Sequence, residues 1–178
     1  MSINSKTKGS KFERNIAKWF TEYSGFKFGR TPYSGAYHSS KDLSSDILCT
    51  DEKHAHRCKL SIECKSYKDI KFEHILLGNK SCDILKFWDQ ATKDAKRSGK
   101  VPILCMRYNS MPKIEFFFVV GPELAEAIFT FPEIMKYPYM MINIPKGGFL
   151  YIFMASAIKK IIPYKAIHKQ AKLSLKHE

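Results

Sequence analysis

The sequence predicts an α/β domain in which a central mixed β-sheet is flanked by helices and followed by a C-terminal extension. Three observations predict it. Apolar residues at helical spacing alternate along the chain with short apolar or two-periodic runs, which is the signature of helices interleaved with strands. Gly, Pro, Asn and Asp fall between those segments, where turns belong. The 178 residues, 44% hydrophobic and 13% aromatic with 9 Gly and 8 Pro, can bury one sizeable core, which excludes disorder, collagen-like repeats and a second full domain.

Taken in order, residues 1–9 read as a flexible basic arm. From Ser10 to Ser24 the apolar positions Phe12, Ile16, Trp19, Phe20 and Tyr23 share one helical face, and Gly25 stands where a C-terminal cap belongs. A short extended piece, 26–30, precedes the turn chemistry of TPYSG (31–35) and a polar stretch, 36–44. Two apolar runs, Asp46–Thr50 and Cys58–Ser66, flank the charged segment DEKHAHR and predict a hairpin with a longer loop. Ile84, Phe87, Trp88, Ala91 and Ala95 predict a second helix over Ser81–Ser98, with Ser81 or Asp83 as its start and Gly99 as its end. Strands follow at Val101–Tyr108 and Ile114–Val120, and Gly121-Pro122 opens a short helix, since Pro fits a first turn. Tyr139–Ile144 and Phe149–Ala155 can pair across Pro145–Gly148. The core of the domain is thus 10–120, and 121–178 extends the same domain into a basic tail.

Charge gives the first functional clue. Thirty Lys and Arg against 17 Asp and Glu make a net charge of +13, a surface that attracts polyanions, nucleic acid foremost. Only five of those cations are Arg (Arg14, Arg30, Arg57, Arg97, Arg107), so charge is mostly diffuse and the few bidentate phosphate binders stand out. The N-terminus carries no apolar signal region, and the longest apolar run, Phe149–Ile158, is too short for a spanning helix. Five Cys without a CxxC pair suit reduced thiols. The expectation is a cytoplasmic or nucleoid-associated protein with no membrane role.

The chemistry concentrates on LSIECKSY, residues 60–67. Strand alternation puts Ser61, Glu63, Lys65 and Tyr67 on one face and Leu60, Ile62 and Cys64 on the other. If 46–50 pairs with this strand, Asp46 approaches Glu63. Two carboxylates that close repel unless a cation lies between them, and hard oxygen ligands suit Mg²⁺ or Mn²⁺. Such a centre suits metal-assisted phosphodiester hydrolysis, with Lys65 orienting or helping deprotonate the attacking water or stabilising charge on the phosphate. An ordinary exposed Glu63–Lys65 ion pair on an edge strand fits the spacing equally well.

Asp46-Ile47-Leu48 followed by Ile62-Glu63-Cys64-Lys65-Ser66 resembles the D…ExK signature of the PD-(D/E)XK nuclease superfamily, whose fold is the restriction-endonuclease-like core. With Lys8-Gly9-Ser10…Glu13-Arg14, a short strand ending in Arg30 and the Ser34-Gly35 turn, the order of motifs over about residues 8–120 is most similar to the archaeal-type Holliday-junction resolvases. The resemblance implies Glu13, Asp46, Glu63 and Lys65 as the catalytic set, the three carboxylates as metal ligands, and Arg14, Arg30 and Ser34 as phosphate contacts. It also implies an endonuclease resolving four-way junctions as a two-fold homodimer in DNA recombination. Departures are Ser45, where a Pro usually precedes the aspartate, the long loop 51–57, and residues 121–178, which have no counterpart in the family core.

Other assignments stay open at this point. Ser10-x-x-Glu13 is also a capping box, which would occupy the Glu13 carboxylate. Gln90 matches a polar residue that often follows the ExK strand and is a candidate water or phosphate contact. Cys49, His54, His56 and Cys58 are a set that zinc would accept, although C-x4-H-x-H-x-C is not a usual zinc spacing and a solvated basic loop with two ordinary Cys explains it too. The alternatives to junction cleavage are a restriction-like or homing endonuclease on linear duplex, or a non-catalytic DNA-binding or zinc-stabilised module. In the tail, Lys165, Lys169, Lys172 and Lys176 fall on one helical stripe, expected to stay loose until a polyanion neutralises it.

Overall fold

The computed structural model describes residues 5–31, 45–77, 82–144 and 148–176. Seven strands among these residues form one sheet: β1 (Phe28–Arg30), β2 (Ile47–Cys49), β3 (Leu60–Tyr67), β4 (Val101–Tyr108), β5 (Phe117–Val120), β6 (Tyr139–Ile144) and β7 (Gly148–Met154). Their spatial order is β1-β2-β3-β4-β5-β7-β6. Every pairing is antiparallel except β3 with β4, whose eight residue pairs run parallel from Leu60↔Val101 to Tyr67↔Tyr108. A parallel neighbour requires a crossover, and helix α3 (Asp83–Ser98) supplies it, preceded by the single turn α2 (Glu73–Leu76). The remaining helices are α1 (Ser5–Ser24), α4 (Pro122–Phe129), α5 (Ala155–Ile161) and α6 (Tyr164–Ser174).

The middle of the sheet is covered on both faces, and the central strand shows it in sequence. Val101, Ile103 and Cys105 of β4 join one core with Phe12, Ile16 and Phe20 of α1 and Ile167 and Ala171 of α6. Leu104 and Met106 join a second core with Ile84, Phe87 and Ala91 of α3. A strand buried on both sides reads as a continuous apolar run, which is why VPILCM lacks alternation. The mixed sheet with flanking helices is the predicted fold class.

Four local findings depart from the expectations. First, α1 starts at Ser5, so 5–9 are helical rather than part of an arm. Ser10 therefore lies inside the helix, where it cannot act as an N-cap, and the capping-box role of Glu13 falls away. Second, the run 149–158 divides: β7 ends at Met154 and α5 begins at Ala155. The Glu115 carboxylate accepts from the Ser156 backbone N–H at 3.1 Å at that junction. Third, the tail is not loose. Tyr164, Ile167, His168 and Ala171 of α6 are buried, and this apolar stripe holds the helix against α4 and the first core despite its like charges. Fourth, α3 lacks a side-chain N-cap: the residue before it is Cys82, and Ser81 lies outside the described residues. Its other end is as expected, with Gly99 at φ 61° accepting the left-handed conformation that a side chain resists. Among the described residues no helix is long and apolar enough to cross a membrane.

Candidate active site

The register Ile47↔Ile62, continued by one residue, sets Asp46 directly across from Glu63. Just beyond the end of β2, the Asp46 carboxylate takes over a ladder role: its Oδ2 accepts the Cys64 backbone N–H at 2.9 Å. The main chain of Asp46 meanwhile continues the β1–β2 pairing, its carbonyl accepting from Thr31 N–H at 2.9 Å. Asp46 is thus fixed from both neighbouring strands. Glu63 is 4% exposed and points toward α3, as the alternation of β3 requires.

Three side chains close a ring there. Lys65 Nζ lies 2.9 Å from Glu63 Oε1 and donates to Gln90 Oε1, also at 2.9 Å. Gln90 Nε2 donates to Glu63 Oε1 at 2.9 Å. One carboxylate oxygen of Glu63 therefore receives an ammonium and an amide donor, and Glu63 also shares a hydrogen bond with the Asp46 carboxyl. The Lys65 ammonium also sits 5.6 Å from the centre of the Phe87 ring, and Phe87 packs on Tyr67 with ring centroids 4.7 Å apart.

The electrostatics are those of a carboxylate pair lacking enough positive charge. Burial, and then the neighbouring Asp46 charge, push Glu63 up to about 8 against the pull of Lys65. Burial pushes Asp46 up to about 6, with Glu13 adding to the rise, while the Cys64 N–H opposes it. Burial would lower Lys65, but the Glu63 carboxylate beside it outweighs that and holds the ammonium above its ordinary range. A buried pair that resists ionisation is what a bound divalent cation would relieve, and its oxygen donors fit Mg²⁺ or Mn²⁺. The fit is to a two-carboxylate centre whose remaining positions go to water and phosphate oxygens, the usual arrangement for Mg²⁺. Among the described residues no group of three or more His, Cys, Asp or Glu is placed to hold a metal. Glu13, although close enough to raise Asp46, is engaged by Arg30, whose Nε donates to its Oε2.

The predicted residues thus divide. Asp46, Glu63, Lys65, Gln90, Glu13 and Arg30 come together from α1, β1, β2, β3 and α3. Arg14 is exposed on α1 and takes no part in the hydrogen-bonded cluster among the described residues. Ser34 lies outside the described residues. Sequence reasoning missed the Arg30–Glu13 pair, treating both as free to meet a phosphate or metal. It also missed Asp94, 5% exposed and one turn beyond Gln90 on the same stripe of α3, which further raises Glu63. The signal was present in the i, i+4 spacing of 90 and 94.

The four-residue zinc candidate is not assembled in this geometry. His54 stacks on Phe26, with ring centroids 3.8 Å apart and planes 2° apart. Its Nε2 lies 3.4 Å from the Tyr164 hydroxyl, whereas His56 Nε2 accepts from Arg57 Nε at 3.1 Å. Cys58 is buried 4.0 Å from the same Tyr164 hydroxyl. Burial foremost, and then the adjacent Cys58, push the half-buried Cys49 thiol up to about 11, which disfavours it as a thiolate ligand.

Comparison with known proteins agrees with this geometry. The model of a family described as "Phage putative PDDEXK endonuclease" matches residues 4–145, a span that contains all the clustered residues. The chain is 27% identical over 107 residues to Protein D14 of Escherichia phage T5, an alignment spanning 60% of this chain and 66% of that relative, just under two thirds. No solved structure matches. Nothing in these comparisons points to the archaeal-type junction resolvases in particular. On the family match, with its D…ExK elements on one mixed sheet, the chain belongs to the phage PDDEXK endonuclease family.

Proposed function

We propose that this chain is a metal-dependent endodeoxyribonuclease that hydrolyses phosphodiester bonds, with Asp46 and Glu63 holding Mg²⁺ or Mn²⁺. The observation that carries the proposal is the buried Asp46–Glu63 pair, held above the ordinary carboxylate range beside Lys65 on a chain of charge +13. A divalent ion held there would polarise the scissile phosphate and lower the pKa of the attacking water. Lys65, charged at neutral pH, stabilises negative charge growing on the phosphate and orients the water, rather than accepting its proton. Gln90 fixes both Lys65 and Glu63 by its two hydrogen bonds. Glu13 and Arg30 act as a pair in this scheme: a phosphate that draws Arg30 away frees the Glu13 carboxylate toward Asp46.

The finer proposal is that the substrate is branched DNA, a four-way junction, cut by a two-fold homodimer. It rests on the order of the Lys8-Gly9…Glu13-Arg14, Arg30, Asp46 and Glu63-x-Lys65 motifs, and symmetric cleavage of two strands asks for two sites. The test compares cleavage of a four-way junction with linear duplex of the same sequence, with and without Mg²⁺, alongside the mass in solution. Metal-dependent, symmetric junction cutting by a dimer is the expected result. Equal cutting of duplex, or a monomer, moves the substrate to linear DNA.

A further inference from the structure

The segment 159–178 carries six lysines and one acidic residue, Glu178, and the structure sorts those lysines into two groups. On α5, Lys159 is consumed by Glu22 at 2.7 Å and lies over Trp19, and Lys160 lies over the Tyr137 ring. On α6 the opposite holds. Lys165 and Lys169 are exposed, Lys172 is half-buried, and Lys176 is exposed in the turn that follows the helix. Successive offsets of four, three and four residues keep them on one stripe. None of the four is in an ion pair among the described residues.

This stripe works against the helix that bears it. Like charges at these spacings each cost a few tenths of a kcal/mol, and α6 holds only because Tyr164, Ile167, His168 and Ala171 are buried. The positive field spreads onto the neighbouring loop: His168 Nε2 donates to the Arg57 carbonyl at 2.9 Å, which sets the exposed Arg57 beside the helix. His54, whose ring centroid is 4.6 Å from that of His168, is held below its ordinary range by burial, then by His168 and Lys172. Folding gains nothing from such an arrangement. What it lacks is a polyanion.

Two rulers place the stripe away from the carboxylate pair. The Tyr23 hydroxyl donates to the Ile162 carbonyl at 2.8 Å, and Glu13 lies ten residues back along α1, about 15 Å at 1.5 Å per residue. Tyr164 meets Cys58, two residues before β3, and Glu63 lies five residues further along the chain, at most about 17 Å at 3.3 Å per residue. Lysines four and three residues apart rise about 6 and 4.5 Å along the helix, a spacing suited to following successive phosphates.

We propose that Lys165, Lys169, Lys172 and Lys176 form a DNA-backbone surface separate from the candidate active site, which grips the duplex away from the cut. The proposal deepens the nuclease reading and rests on it for the identity of the polyanion. The test is a variant carrying Lys165→Gln, Lys169→Gln, Lys172→Gln and Lys176→Gln, compared with wild type and with the four-arginine counterpart. Affinity for a 30-base-pair duplex is measured in EDTA at several salt concentrations, so that cutting plays no part. Each phosphate contact adds about 0.9 to the slope of log affinity against log salt. The glutamine variant should therefore lose about two to four from the slope and at least about tenfold in affinity at low salt, while the arginine variant keeps both. Unfolding temperature reports folding independently and should stay equal or rise, since repulsion is removed. An unchanged slope in the folded glutamine variant overturns the proposal, as does loss of binding to phosphatidylserine vesicles with DNA affinity intact. Failure of wild type to cut any DNA while the slope difference persists would strike the nuclease reading and leave this surface standing.

Discussion

Raising the pH of the metal-free protein should destabilise it through the Asp46–Glu63 pair, and divalent metal should reverse the loss. The folded protein holds Glu63 at about 8 against an ordinary value of 4.5 and Asp46 at about 6 against 3.8. Both are raised, so the protonated forms are favoured by folding. Their contribution is complete below about pH 4 and is lost as pH climbs through about 6 to 8. At about 1.4 kcal/mol per pKa unit, the Glu63 shift alone corresponds to roughly 5 kcal/mol and that of Asp46 to roughly 3. The Asp46 charge contributes to the Glu63 rise, so the two do not add, and roughly 3–5 kcal/mol is the cost of ionising the pair. In a chain of this length that is on the order of 6–20 °C in unfolding temperature. The assay is thermal unfolding in EDTA from pH 5 to 9 for wild type and Glu63→Gln, whose difference cancels the titration of exposed groups. The glutamine variant should lose less stability across the range and overtake wild type near pH 8. Magnesium should stabilise wild type increasingly with pH and the variant much less, because metal binding expels the proton. Parallel curves for the two proteins in EDTA would refute the argument that the pair is electrostatically frustrated.

Three further outcomes follow from the structure. Lys65→Ala removes the ammonium that stabilises charge on the phosphate, so it should abolish turnover while calorimetry still detects Mn²⁺ binding at Asp46 and Glu63; loss of the metal as well would make Lys65 a structural partner of Glu63 only. Ile167→Ala, at a fully buried position of α6, should cost about 2–5 kcal/mol in urea unfolding, and truncation after Pro163 should prevent stable folding by stripping Tyr164, Ile167 and Ala171 from the core. A soluble, cooperatively unfolding truncation product would show that α6 is dispensable.

Much of the fold and the centre of the site was legible because both depend on local periodicity. Alternation along LSIECKSY aimed Glu63 and Lys65 at one face, and the hairpin with 46–50 brought Asp46 to the same place. The parallel pairing of β3 with β4 was not legible, since a run buried on both faces carries no directional signal. Ser10-x-x-Glu13 looked like a helix start because a capping box is a pattern of four residues. The actual start at Ser5 is set upstream in a lysine-rich segment with no apolar spacing to reveal it. The tail looked loose because its lysines are conspicuous, whereas Tyr164, Ile167 and Ala171 need α4 and the first core in place before their spacing means burial. The Glu13–Arg30 pair joins residues 17 apart on different elements, and no local pattern reports such a contact.

The most direct test of the central claim is cleavage of DNA in Mg²⁺ by wild type, Asp46→Asn and Glu63→Gln, with binding measured in parallel. Removing either carboxylate deprives the site of a metal ligand worth several kcal/mol to the transition state, so each variant should fall by at least about a hundredfold in rate. Affinity for DNA should stay equal or rise, because a negative charge facing the phosphates is gone. Near-wild-type cleavage by Glu63→Gln would contradict the assignment of Asp46 and Glu63 as the metal-holding pair.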